Sequence, residues 1–193
     1  MNLELDQPLI NRTRKGDMEA FTILVDRYKA MVFTLAMRMV KNREEAEEIA
    51  QDTFLKAYNG LKGFKGGSKF STWLYKIAYY RSLDYIKKSG RSIETVHIDT
   101  IFGTKLADES NVVDHLEQIE KKEAIKDAIR LLPGDDGVLI TLYYYEELTL
   151  REISGVMDIS GDNVKVKLHR ARKRLMQLLI AKLEPETLQD YAK

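Results

Sequence analysis

Apolar residues recur every three or four positions through long stretches of the N-terminal half of the chain. In the first stretch, Ala20 to Val40, the apolar positions are Phe21, Leu24, Val25, Tyr28, Val32, Leu35, Ala36 and Met39. Residues at this spacing share one face of an α-helix, so the stretch predicts one long, largely buried helix. A second helix is predicted to begin after Asn42, which with Glu45 resembles a capping pair, and to end near Asn59.

The third helical stretch follows a loop that contains glycines. Three glycines between residues 63 and 67 interrupt the periodicity and predict a flexible segment that also carries lysines. The pattern resumes from about Ser71 to Lys88. One face of this helix is formed by Phe70, Leu74, Ile77, Ala78, Arg81 and Tyr85. The three helices predict a compact all-α domain over residues 1–90.

Helical periodicity is lost after this domain and returns in the last third of the chain. Residues 91–115 scatter Ser, Thr, Asp and Gly among isolated apolar positions, which indicates a flexible linker. A helix is then predicted from about His115 to Leu132, where Pro133 stops it, and another around residues 136–145. A helix pair follows. The fold class predicted is therefore all-α, with a second small helical domain at residues 116–193.

The helix pair has the pattern of a helix-turn-helix. Thr149 and Glu152 have the spacing of a capping box at the start of a short helix. A turn over residues 158–161 precedes a longer helix, whose inward positions are Val164, Leu168, Ala171 and Leu175. A short helix, a tight turn and a basic helix are the geometry that places a recognition helix in the major groove. The candidate contacts to duplex DNA are Asn163, Lys165, Lys167, His169, Arg170, Arg172 and Lys173. The alternative is an ordinary solvated surface helix.

Aromatic and basic side chains alternate along the third helix of the first domain. Trp73, Lys76, Tyr80 and Lys87 fall on one line beside its buried face. Aromatic rings can stack on unpaired bases while lysines contact the backbone of a single strand. The candidate contacts to single-stranded nucleic acid are Lys62, Lys65, Lys69, Trp73, Lys76, Tyr80, Lys87 and Lys88. The alternative is that the two aromatic residues only pack at the edge of the core.

The overall net charge of +1 conceals an uneven distribution. Residues 1–91 hold 17 basic and 11 acidic side chains, whereas residues 92–123 hold 3 basic and 8 acidic ones. Residues 124–193 are balanced, but they include the basic cluster of the last helix. Two basic surfaces separated by an acidic stretch suggest two polyanion contacts on one chain.

Other features of composition narrow the classes of function. The chain has no cysteine, so disulfides and thiolate metal sites are excluded, and a reducing compartment is favoured. No apolar run is long enough to span a membrane, and the N-terminus lacks the pattern of a signal peptide. The three histidines form no spaced ligand set, and no catalytic motif occurs. We therefore expect a cytoplasmic, non-enzymatic protein without membrane insertion, cofactor or metal.

Five motifs in one order resemble the extracytoplasmic-function sigma factors of the sigma-70 family. They are Lys15–Phe21, Ala46–Tyr58, Phe70–Ala78, Leu131–Pro133 and Val164–Arg172. The resemblance extends from about Leu9 to Leu179, nearly the whole chain. It implies that residues 1–90 form sigma region 2, that residues 116–193 form sigma region 4, and that the acidic linker threads through polymerase channels.

The resemblance also implies roles for surfaces and partners. The loop at residues 62–69 and the following helix resemble the elements that melt and capture the minus-ten promoter element, and the helix-turn-helix resembles the reader of the minus-thirty-five element. The surface that docks on core RNA polymerase would include Glu47, Glu48, Gln51, Asp52, Phe54 and Leu55. From the residues alone, the acids of this run could equally stabilise a helix dipole. The expected partners are core RNA polymerase, promoter DNA and an anti-sigma factor.

Two other readings remain open from the sequence. A transcription regulator would bind duplex DNA through the same helix-turn-helix while its first domain sensed a signal or a partner. A carboxylate-rich metal enzyme would also be helical, although the missing ligand pairs argue against it. Exposure of unpaired thymines at a promoter distinguishes a sigma factor from the regulator.

Overall fold

The computed structural model describes residues 3–90 and 124–182, and within these ranges all regular structure is helical. The helices are Leu3–Arg14 (α1), Met18–Val40 (α2), Arg43–Gly60 (α3), Phe70–Lys88 (α4), residues 124–131 (α5), Gly134–Ile140 (α6), Leu150–Met157 (α7) and Gly161–Lys182 (α8). A 3-10 turn, Leu61–Gly63, follows α3, and a π-helical turn, Thr141–Tyr145, continues α6. This confirms the predicted all-α fold class. The predicted linker, residues 91–115, lies outside the described residues.

Side chains at the helix ends explain where α2 and α3 begin. Asp17 accepts a hydrogen bond from the backbone N–H of Ala20 at 3.0 Å, and Asn42 accepts one from that of Glu45 at 3.1 Å. Each bond satisfies an amide that has no partner within its own helix. Between the two helices, Lys41 adopts a left-handed conformation, φ 56°, which ends α2. The predicted capping role of Asn42 is therefore confirmed.

Helix α2 forms the centre of the N-terminal helices. Its buried side chains are Ala20, Phe21, Leu24, Tyr28, Val32, Leu35, Ala36, Met39 and Val40. They follow the predicted periodicity and pack against α1, α3 and α4. Burial of this apolar surface, at roughly 25 cal/mol per Å², supplies most of the driving force for assembling these helices.

Helix α1 is absent from the sequence prediction, because it is short of apolar positions and contains Pro8. Its buried residues Leu9 and Ile10 nevertheless pack into the core. Asp6, only 4% exposed, binds both the Tyr28 hydroxyl and the Arg27 guanidinium of α2. Burial, and then the neighbouring Asp6 carboxylate, raise the pKa of the Tyr28 hydroxyl. A polar contact across the core thus joins α1 to α2.

The C-terminal helices pack on the N-terminal ones. Helix α6 lies against α2, and α7 lies against α4. A Cβ atom at Gly134 would come within 3.4 Å of the Cα atom of Met39, so the absence of a side chain permits this close approach. Buried residues from both ends of the chain, such as Leu74 and Val156, belong to one continuous core.

The central position of α2 leads to a stability prediction. Leu24 is fully buried, whereas the preceding residue, Ile23, is 43% exposed. We expect Leu24→Ala to lower the free energy of unfolding by about 2–5 kcal/mol, because it leaves a cavity in the core. The matched change Ile23→Ala should cost less than about 1 kcal/mol. Urea unfolding followed by circular dichroism measures both, and equal losses would contradict the central role of the Leu24 side chain.

Candidate nucleic-acid interface

Local hydrogen bonds set the geometry of the α7–α8 pair. Thr149 and Glu152 form a reciprocal capping box at the start of α7. Asp158 ends α7 in a left-handed conformation, φ 55°, and the Ser160 hydroxyl accepts a hydrogen bond from the Asn163 backbone at the start of α8. The short helix, turn and long helix confirm the predicted helix-turn-helix.

Helix α8 buries one face and exposes basic side chains on the other. Val164, Leu168 and Ala171 are at most 3% exposed, and they hold the helix on the core. The exposed members of the predicted duplex-binding set are Asn163, Lys165, His169, Arg170, Arg172 and Lys173. Lys165 forms an exposed ion pair with Asp162 at 3.4 Å, which is weak in water. Within residues 3–90 and 124–182, Arg170 and Lys173 have no hydrogen-bond or ion-pair partner.

Two cations of the predicted duplex-binding set are engaged within the chain. Arg172 donates a hydrogen bond from Nε to the Tyr144 hydroxyl at 2.6 Å, and its guanidinium carbon lies 5.3 and 5.4 Å from the ring centroids of Tyr143 and Tyr144. Lys167 is half-buried and lies 3.4 Å from the Asp135 carboxylate. These partners are distant in sequence, so the helical periodicity could not reveal them.

Trp73 of α4 is half-buried in an aromatic cluster. Its ring centroid lies 5.0 Å from that of Phe64 and 5.7 Å from that of Phe70. A Cβ atom at Gly60 would lie 3.5 Å from the indole, an ordinary van der Waals distance, so the ring packs directly beside the end of α3. Trp73 therefore packs at the edge of the core and also keeps part of its surface in solvent. The structure confirms the packing reading, and stacking of Trp73 on unpaired bases stays a prediction.

The rest of the α4 line forms an exposed basic surface. Lys76 lies over the Tyr80 ring, with its Nζ atom 6.0 Å from the ring centroid. Tyr80 is half-buried and makes an edge contact with Tyr79. The exposed lysines of the predicted single-strand set are Lys62, Lys65, Lys76, Lys87 and Lys88, and Lys69 is half-buried. The loop and α4 thus carry these cations along the same stretch of chain as two partly exposed aromatic rings, Trp73 and Tyr80.

The predicted polymerase-docking residues divide between surface and core. Glu47, Glu48, Gln51 and Leu55 are exposed on α3. Leu55 is 63% exposed, so its side chain is available for contact with a partner. Asp52 is half-buried and paired with Arg81 of α4.

Phe54 is a member of the predicted docking set that the structure shows to be buried. It is only 8% exposed, because it faces the aromatic and aliphatic core beneath α3. Its side chain therefore adds little area to the predicted docking surface. The motif Ala46–Tyr58 identified the helix, but membership of a motif does not distinguish the buried side of a helix from its exposed side.

Carboxylates from the C-terminal helices lie against α4. Tyr79, 5% exposed, donates its hydroxyl to Asp135 Oδ1 at 3.0 Å. Burial, and then the charge of Asp135, raise the pKa of the Tyr79 hydroxyl. The Glu152 carboxylate is 3.8 Å from the Lys69 ammonium.

The pKa values of Glu152 and Tyr80, which lie where α4 meets the C-terminal helices, are also shifted. Burial alone would raise the pKa of Glu152, but hydrogen bonds from Thr149 and the charge of Lys69 bring it below its ordinary value. Burial raises the pKa of the Tyr80 hydroxyl, and the nearby Asp158 carboxylate adds to the effect. The candidate single-strand surface thus has acidic neighbours from the other end of the chain.

The described ranges, residues 3–90 and 124–182, hold neither of two further kinds of feature, a metal-binding cluster and a membrane-spanning helix. No group of three His, Cys, Asp or Glu side chains there could hold a metal ion. None of the helices in those ranges is long and apolar enough to cross a membrane.

Comparisons with known proteins identify both the N-terminal and the C-terminal group of helices. Sigma-70 region 2 matches residues 24–92, and Sigma-70 region 4 matches residues 122–175. The chain is 35% identical over 176 residues to the ECF RNA polymerase sigma factor SigW of Bacillus subtilis, covering 88% of this chain and 94% of that protein. It is 34% identical to the ECF RNA polymerase sigma-E factor of Escherichia coli K12, covering 88% and 92%.

Solved structures share the fold. CnrH in complex with the cytosolic domain of CnrY has a TM-score of 0.62 at 22% identity, covering 92% of this chain and 99% of that one. The sigma factor RpoE of Bartonella quintana, in complex with the anti-sigma factor NepR, has a TM-score of 0.61 at 22% identity, covering 85% and 98%.

The two matched regions define a protein of the sigma-70 class, with the helix-turn-helix in region 4. The chain belongs to the ECF RNA polymerase sigma factors. It is an alternative sigma factor that directs promoter-specific transcription with RNA polymerase.

The arginines of α8 differ in whether they have a partner within the chain, and this leads to a second stability prediction. Arg174 pairs with Asp136, whose side chain is only 9% exposed, whereas Arg170 is exposed. We expect Arg174→Gln to lower the free energy of unfolding by about 3 kcal/mol, because a nearly buried carboxylate loses its partner. Arg170→Gln should change it by less than about 0.5 kcal/mol. Chemical denaturation of both variants is the measurement, and a stable Arg174→Gln variant would show that Asp136 finds water or another donor.

Proposed function

We propose that this sigma factor divides promoter recognition between α8 and the surface formed by α4 and the loop before it. Region 2 occupies residues 1–90 and region 4 occupies residues 116–193, joined by an acidic linker at residues 91–115. The observation that carries the proposal is that α8 has a buried apolar face and exposed, unpaired cations at Arg170 and Lys173.

Helix α8 inserts into the major groove at the minus-thirty-five element. Asn163, near its N-terminus, is placed to read base edges, and Lys165, Arg170 and Lys173 contact phosphates. His169 lies among them on the exposed side. Lys167 and Arg172 support this surface through Asp135 and the two tyrosines, and they can reach DNA only by giving up those contacts.

The α4 surface takes up the non-template strand of the minus-ten element. Unpaired bases stack on the accessible edges of Trp73 and Tyr80, and each stacked base contributes about 1–3 kcal/mol. The lysines of the loop and of α4 neutralise the phosphates of that strand. The mixture of partly exposed rings and exposed ammonium groups supports this assignment over a purely structural role.

The exposed ridge of α3 docks on core RNA polymerase. Glu48, Gln51 and Leu55 recur at three- and four-residue intervals and are all exposed. An exposed leucine, with exposed glutamates two turns before it on the same helix, suits a partner surface that has an apolar centre and a basic edge.

Three further elements of the proposal rest on family membership. An anti-sigma factor binds the chain, as NepR is bound to RpoE of Bartonella quintana. The chain catalyses no reaction of its own. It acts in the cytoplasm, where RNA polymerase and promoter DNA meet.

Docking on polymerase is tested at Leu55. We expect Leu55→Glu to weaken binding to core RNA polymerase at least tenfold, because it places a charge in the apolar centre of the contact. Met18→Glu is the matched control, since Met18 is 55% exposed on α2 and lies outside the proposed surface. Fluorescence titration of labelled core polymerase measures both affinities. Equal affinities for the two variants would remove the α3 ridge from the interface, and no binding by the unsubstituted chain would contradict the function itself.

Capture of the single strand is tested at Lys76. We expect Lys76→Gln in the holoenzyme to lower the slope of log affinity against log salt by about 0.7 for a single-stranded minus-ten oligonucleotide, because one phosphate contact is lost. Lys56→Gln, an equally exposed lysine on α3, should leave the slope unchanged. An unaltered slope for both variants would show that the Lys76 ammonium does not meet the strand.

A further inference from the structure

The exposed face of α8 carries one apolar side chain among its polar ones. Val166 is 49% exposed, whereas Val164 and Leu168, two positions before and after it, are at most 3% exposed. Among the exposed side chains of residues 162–173, a stretch that the structure describes throughout, only Val166 is apolar. The proposed contacts of α8 to duplex DNA are made by cations, an amide and an imidazole, so they leave Val166 without a role.

Helix geometry places Val166 at the middle of the exposed face. Successive residues of an α-helix are about 100° apart, so Val166 lies about 160° round the axis from each of the two buried residues that flank it. Its exposed neighbours on the same face are Asn163 and Arg170 to one side and His169 to the other. When a helix enters a groove with its exposed face leading, the middle of that face comes nearest to the base edges. Val166 occupies that position.

Neither helix stability nor an apolar patch on α8 explains a valine at this position. Valine is a poorer helix former than the lysines and arginines around it. On α8, which the structure describes from Gly161 to Lys182, the other large apolar side chain that is well exposed is Ile180, about four turns further along. Contiguous apolar patches mark partner sites, whereas Val166 stands alone among polar groups. Its meaning therefore depends on what the exposed face of α8 meets.

We propose that Val166 recognises the C5 methyl group of a thymine in the major groove, so that this chain prefers a T·A pair at one position of its minus-thirty-five element. The inference rests on the proposed insertion of α8 into that groove. The thymine methyl is the apolar group that base pairs present in the major groove, where the other groups are hydrogen-bond donors and acceptors. An apolar side chain that leads into the groove thus has one chemical partner there.

The valine side chain suits both the contact and the discrimination. Branching at Cβ leaves valine one strongly preferred rotamer in a helix, so its two methyl groups are held in place before DNA binds. Val166 has no hydrogen-bonding group, so a polar base edge pressed against it loses water without gaining a partner. The same side chain therefore favours thymine and disfavours base pairs that present only polar groups at that point.

Replacement of thymine by uracil tests the contact, because it removes the C5 methyl group and keeps every hydrogen-bonding group of the base. Holoenzyme assembled from core polymerase and the full chain first selects its element from duplexes randomised over the minus-thirty-five region. Each thymine in both strands of the selected element is then replaced singly by uracil, and affinities are measured by competition. We expect one replacement to weaken binding about threefold to fourfold, the loss that exposure of one methyl group predicts.

Variants at position 166 assign the effect to this side chain. Val166→Ser has no methyl group, so we expect it to bind the thymine and uracil duplexes equally. Val166→Thr keeps one of the two methyl groups and should retain part of the uracil effect. Ile180→Ala is the matched control, because Ile180 is 45% exposed on the same helix, and it should discriminate as the parent does. Circular dichroism of each variant checks that the helices are intact.

Cytosine methylation gives the converse measurement. Replacement of the contacted T·A pair by C·G should weaken binding by the parent chain. A methyl group at C5 of that cytosine should then restore binding about threefold, because it returns the apolar group and leaves the C·G hydrogen-bonding groups unchanged. Val166→Ser should bind the methylated and unmethylated duplexes equally.

The outcomes separate this inference from the proposed function. A uracil effect of equal size in the parent and in Val166→Ser would come from the DNA itself and would overturn the methyl contact, as would a selected element in which no thymine responds. Arg170→Gln tests insertion of α8 independently, since it should lower the slope of log affinity against log salt for the duplex by about 0.9. If that slope is unchanged and no upstream element is selected, the groove-binding role of α8 fails and the inference fails with it. A uracil effect that disappears only in Val166→Ser supports both.

Discussion

The side of α4 that faces the core determines which of its side chains remain for nucleic acid. Phe70, Leu74, Tyr75 and Ala78 are each at most 1% exposed, and they fix the rotation of the helix about its axis. With that rotation fixed, the line that contains Lys76 and Tyr80 must lie at the border between core and solvent. A helix that buried less of this face could turn and present its lysines in several directions.

The buried side chains of α8 likewise fix its rotation about its axis, although they are smaller than those of α4. Val164 and Ala171 bring the helix close to its neighbours, and the buried pair of Arg174 with Asp136 fixes its position along its axis. The stack of Arg172 on Tyr143 and Tyr144 covers one flank. What remains exposed is the face of α8 that carries Lys165, Arg170 and Lys173.

Features set by neighbours in sequence could be predicted, whereas those set by distant contacts could not. The capping box at Thr149 and the apolar period of α2 are local, so the helix-turn-helix and the buried central helix follow from the sequence. Helix α1 was missed because its burial depends on Asp6 meeting α2 and on Leu9 and Ile10 reaching a core formed by other helices. The engagement of Arg172 and the burial of Phe54 likewise depend on what lies opposite each side chain.

The nearly balanced charge of the chain has a physical use if its two cationic surfaces are to act only on promoters. Each exposed cation adds affinity for any DNA through counterion release, whatever the base sequence. Acids placed on other helices of the same chain subtract from that general affinity while they remain close to the cations. The sequence shows the cations as periodic clusters, but only the packing of α7 on α4 shows which acids oppose them.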